Sequence, residues 1–177
     1  MLWILHRITQ LIKSIWCRPP RSSDIPVEVS DQETIIRAVF YPHHFNKSGR
    51  KLTRYAFRAP PDMDEVSTIR KNYVGSQFCK DKAKGIELNG KCQSEDTKDF
   101  RGFASISADE IYKAGSNIRD SRHVYVAHAD ITHGYTAKRG ESLPSWLNDR
   151  LDRLRDSAKF IPDPAPTKWR WVGQEIT

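Results

Sequence analysis

The sequence predicts an α+β fold: a small mixed or antiparallel sheet with short helices on one side, preceded by an N-terminal amphipathic helix. Three observations carry that expectation. Residues 34–41 and 124–131 are rich in β-branched and aromatic side chains and read as strands. Leu147, Leu151, Leu154 and Ala158 repeat at helical spacing. Further strand-like pieces alternate with short helical signals, the pattern of an α+β domain. A chain of 177 residues fits one domain with an appended segment. Residues 1–23 are therefore assigned as a docking helix and linker, and residues 24–177 as a single α+β domain.

Residues 1–23 contain no acid. At about 100° per residue, Ile4, Leu5, Ile8, Leu11, Ile12, Ile15 and Trp16 share an arc of roughly 140°, opposite His6, Arg7, Gln10 and Lys13. Pro19 and Pro20 stop this helix, since proline lacks the amide hydrogen and restricts the residue before it. The strand over residues 34–41 ends at Pro42, and Asn46 to Gly49 supply a turn. Residues 51–58 alternate apolar and cationic side chains, which predicts a returning strand and hence a basic hairpin. Residues 65–73 read as a further strand. Ser76 caps a short helix to about residue 83, and residues 86–98 form a polar loop. A strand over residues 102–106 leads into a capping box of Ser107 and Glu110, whose helix Gly115 ends. Ser142 and Pro144 start the longest helix of the body. Trp169, Arg170 and Trp171 alternate as an edge strand would.

The net charge of +7 divides unevenly. Residues 1–23 hold Arg7, Lys13, Arg18 and Arg21 against no acid, whereas the remainder is close to neutral. A body-wide phosphate-binding surface is thus not supported, and a local patch stays open. Cys17, Cys79 and Cys92 form no CxxC pair and suggest no disulfide framework, which points to a reducing cytoplasm. The first residues lack a secretory cleavage site and are too short and polar to span a bilayer.

Arg37 lies amid Ile35, Val39 and Tyr41 on one strand face, so its guanidinium needs an anion or a carbonyl. His43 and His44 follow the same strand. On the other strong strand Val124, Val126, His128 and Asp130 share a face that turns polar at its end. A histidine and an aspartate two residues apart suit acid–base work with Arg37 as anion binder, or a structural hydrogen bond. If the two strands are parallel neighbours, His43 or His44 joins this site. The HxDxxH spacing matches no strong metal signature, and no cofactor motif is present.

Residues 34–61 are also free of acids. There Lys47, Arg50, Lys51, Arg54 and Arg58 surround Tyr55 and Phe57, a pattern that tracks a phosphate backbone or blunts a sheet edge. Arg37 and Ser67-Thr68 resemble the Arg and Ser-Thr elements of some ADP-ribosyltransferases over two short pieces. The catalytic Glu of that family has no counterpart beyond the merely available Glu110 and Glu141, so membership is not assigned.

Two functional expectations follow. The leading one is an accessory module that docks on a protein partner, or on itself, through residues 1–20. Ile4, Ile8, Leu11, Ile12, Ile15 and Trp16 form the contact, and the basic hairpin faces an acidic protein or nucleic acid; peripheral membrane contact ranks below these. The alternative is a small phosphodiesterase or nucleotide-processing enzyme using His128, Asp130 and Arg37, of the kind found among bacterial toxins and defence effectors.

Overall fold

The computed structural model describes residues 21–93 and 98–177. The expected N-terminal helix, with Ile4, Ile8, Leu11, Ile12, Ile15 and Trp16, lies outside them. Among the described residues six strands form one sheet: β1 Thr34–Tyr41, β2 Glu65–Arg70, β3 Asp99–Ser107, β4 Asn117–Asp120, β5 His128–Thr132 and β6 Lys159–Pro162. Their order is β4-β5-β2-β1-β3-β6, and every neighbouring pair is antiparallel. Three helices complete the fold: α1 Ser76–Gln93, α2 Ala108–Lys113 and α3 Ser145–Ser157. No helix among the described residues is long and apolar enough to cross a membrane.

The helices cover both faces of the sheet, not one as expected. The reason is visible in β1, whose two alternating sets are both apolar. Ile35 and Val39 pack with Ile111 of α2 and with Leu147, Leu151 and Leu154 of α3. Ile36, Ala38 and Phe40 pack with Cys79 and Ala83 of α1. A strand that is apolar on both sides needs cover on both. Each buried leucine of the α3 stripe contributes about 1.5–3 kcal/mol.

Several elements differ from expectation. Residues 51–58 are not a returning strand: Arg54–Phe57 is a 3-10 turn, and only a single bridge, Phe45 to Leu52, joins the two arms. Ala56 and Phe57 are both fully buried. A turn can bury consecutive side chains on one side, and a strand of period two cannot. Helix α1 runs to Gln93, through most of the expected loop. Within that stretch Lys84 pairs with Glu87 and donates to the Pro166 carbonyl at 2.9 Å. Strand β5 begins only at His128, because residues 124–127 turn and Ala127 has φ 63°. Residues 169–171 are not a strand. Lys80 of α1, fully buried, clamps this tail through Asp163 at 2.7 Å and the carbonyls of Ala165 and Arg170 at 3.0 Å each.

Two arginines organise the centre of the sheet. Arg70, fully buried at the end of β2, donates to both carboxylate oxygens of Glu33 at 2.7 Å and to Asp120 at 3.0 Å. It also donates to the Pro26 and Glu28 carbonyls, tying down the segment before β1. Beyond the pairs Ile35 with Arg70 and Ile36 with Ile69, β1 and β2 part company. From there β1 continues along β3 and β2 along β5. Arg37 fills the split. Its Nη1 donates to the Ser67 carbonyl at 2.6 Å and its Nε to the Ala56 carbonyl at 3.3 Å.

Candidate functional site

The register of β2 against β5 sets Ser67 opposite Asp130 and Ile69 opposite His128. Paired residues of antiparallel strands point the same way, so Ser67, His128 and Asp130 all face α1. The turn before β5 brings Tyr125 over this face, its ring edge-on to His128 with centroids 4.6 Å apart. Ser67 Oγ lies 2.8 Å from His128 Nε2. Arg37 enters from the split in the sheet and binds the backbone carbonyl of the same serine. One half-buried residue, Ser67, is therefore held through its hydroxyl by an imidazole and through its carbonyl by a guanidinium.

Electrostatics differentiate these groups. Burial lowers the His128 pKa below its ordinary 6.5 even though the Asp130 charge opposes the shift, so the imidazole is neutral at pH 7. Its Nδ1 is buried and has no hydrogen-bond partner among the described residues. Burial pushes Arg37 down to about 10, against the pull of Tyr125 and Asp130, which leaves it a cation at neutral pH. The Tyr125 phenol is raised by burial and stays protonated. Lys82 of α1 adds a cation at the rim, with Nζ 4.6 Å from the Tyr125 ring centroid.

Asp130 does not complete a serine-protease-like relay. Its Oδ1 is 3.8 Å from His128 Nε2, the nitrogen already engaged by Ser67, while Oδ2 accepts the Ser121 hydroxyl. An orienting carboxylate would have to reach Nδ1 instead. Asp130 acts here through its field on His128 and Arg37. The arrangement suits deprotonation of a serine hydroxyl beside a fixed guanidinium.

Of the residues singled out from sequence, Arg37, His128 and Asp130 come together. His43 and His44 do not join them as strand neighbours, because β2 separates β1 from β5. His43 is exposed and stands apart. His44 is half-buried and closes the turn after β1, its Nδ1 accepting the Phe40 amide at 3.2 Å. Burial, reinforced by the charge of Arg37, lowers its pKa to about 3. Lys47, Arg50 and Lys51 are exposed on the loop, while Arg54 and Arg58 line a groove against α3. Among the described residues no trio of His, Cys, Asp or Glu is placed to hold a metal ion.

Sequence reasoning did not assign Ser67, Ser121 and Tyr125 to this site. The signal for Ser67 was its place beside Thr68 on a strand, the pair that the resemblance above sets with Arg37. Nothing local tied it to a histidine 61 residues away.

Comparison adds no relative. No protein-family model, curated protein or solved structure matches the chain.

Proposed function

We propose that this chain is a small enzyme acting on a phosphodiester or nucleotide, with Arg37, Ser67 and His128 at its centre. One observation carries the reading: the 2.8 Å contact between Ser67 Oγ and His128 Nε2, on a residue whose carbonyl is bound by Arg37. Arg37 uses Nη1 and Nε for carbonyls and keeps Nη2 for an anion. A phosphate bound there is brought to Ser67. The Oγ attacks phosphorus as its proton passes to His128 Nε2, and the ester P–O bond breaks. The leaving oxygen takes that proton from Nε2, and water repeats the displacement to free the serine. The docking-module expectation rests on Ile4 to Trp16, outside the described residues, so no geometry speaks for it.

The test is turnover of bis(p-nitrophenyl) phosphate, a set of nucleotides and a short RNA by the full chain. Ser67→Ala and His128→Gln should each lower turnover about 100-fold or more, the scale of a lost nucleophile or base. Thermal melting reports whether each variant stays folded. The pH profile should show an acid limb below 6.5, where His128 gains its proton. No product from any of these probes, or a Ser67→Ala variant as active as the parent, would overturn the assignment.

A further inference from the structure

The 3-10 turn Arg54–Phe57 faces two ways. Its Ala56 carbonyl holds Arg37, while Arg54 and Tyr55 wall an open groove of about 640 Å3 against the start of α3. Arg58 and Arg155 also line that groove. Asp152 answers two of the three arginines, lying 2.9 Å from Arg54 and 2.5 Å from Arg155. Arg58 makes no ion pair among the described residues; its guanidinium lies 5.7 Å from the centroid of Tyr55, whose side chain is 53% exposed. Glu141 on the rim is engaged by the Tyr135 hydroxyl at 2.6 Å and the Lys138 amide at 2.7 Å. The groove floor includes Thr53, whose Oγ1 is buried without a partner. Lys47, Arg50 and Lys51, on the loop leading into it, have no acidic partner among the described residues either.

An open aromatic ring next to an unneutralised guanidinium, approached by exposed cations, is the arrangement that binds a single nucleic-acid strand. Phosphates sit on the cations and a base stacks on the ring, which a duplex would not release. We propose that this groove binds single-stranded nucleic acid, with a phosphate on Arg58, a base on Tyr55, and the backbone running over Lys47, Arg50 and Lys51. The inference rests on the phosphodiester reading of the Arg37 centre and narrows its substrate to an oligonucleotide. The shared turn connects the two, since Tyr55 directly precedes Ala56, whose carbonyl holds Arg37, and Arg58 follows two residues later.

The experiment is fluorescence anisotropy of a short fluorescein-labelled oligouridylate with the full chain, across a salt series. The cationic N-terminal residues are common to all variants, so differences isolate the groove. Arg58→Glu should weaken binding about tenfold and make the log–log salt slope shallower by about one. Tyr55 is exposed, so Tyr55→Ala tests stacking without touching the core, and it should weaken binding about fivefold or more. Parent-like binding by both variants, or no binding by the parent, overturns the proposal. Equal displacement of the oligonucleotide by poly-L-glutamate also overturns it, in favour of an acidic protein partner. Anisotropy needs no turnover, so a chain that binds through the groove yet cleaves nothing counts against the catalytic reading alone.

Discussion

The guanidinium of Arg70 donates to Glu33, Asp120 and two backbone carbonyls, whereas that of Arg37 donates to two carbonyls and keeps Nη2 open. Full satisfaction marks Arg70 as a structural ion pair, whereas the free Nη2 of Arg37 is what the proposed anion site uses. Glu33→Ala removes the bidentate partner and leaves a buried charge with Asp120 as its one carboxylate, so it should cost about 3–5 kcal/mol. Urea unfolding measures this; a loss under about 1 kcal/mol would mean that water replaces the carboxylate. Sequence made Arg37 conspicuous because it interrupts an apolar face. It hid Arg70, which ends its strand next to Lys71 and looks like one more surface cation. His128 and Asp130 were legible from their shared parity, but the serine between base and cation is defined by a register across strands, which no local window contains.

At the scale of elements, Gly102 controls the edge of the sheet. It sits in β3 opposite Val39, at the point where the β1–β3 register shifts, with φ +141°. A Cβ there would collide with the Ile161 carbonyl oxygen and lie 2.9 Å from Asp163 N and Pro162 Cα. Gly102→Ala therefore combines a backbone strain of about 1–3 kcal/mol with expulsion of β6. Amide exchange should rise across residues 159–161 while α3 stays protected; an unperturbed β6 would show that the backbone simply shifts. The elements with a strong period were readable in advance: β1, the α3 stripe, and the Ser107 cap, whose hydroxyl accepts the Glu110 amide at 3.2 Å. Those that tertiary contacts dictate were not. The turn Arg54–Phe57 looks like alternation until Ala56 and Phe57 are both buried, and the later half of α1 looks like a polar loop until Lys84 finds Glu87 and Pro166. The short edge strands β4 and β6 have too few residues to show a period.

For the molecule as a whole, burial holds three histidines neutral. The pKa values of His44, His128 and His133 all lie below their ordinary 6.5, with His44 at about 3. The unfolded chain therefore takes up protons before the native state does, and stability is full above pH 6.5 and declines as pH falls toward 3. Glu33, lowered through Arg70, adds to the same decline below 4.5. Urea midpoints should fall between pH 7 and pH 5; a midpoint that rises over that interval would contradict the burial of these rings. The divergence of β1 from β2 also has a mechanical meaning. Among the described residues only two ladder pairs join β2 to β1, beside the contacts of Arg70 with the segment before β1, and Arg37 bridges the seam between the leaf β4-β5-β2 and the leaf β1-β3-β6. The hydroxyl and its imidazole ride on one leaf and the guanidinium is rooted in the other, so any sliding at the seam changes the spacing on which the proposed chemistry would depend.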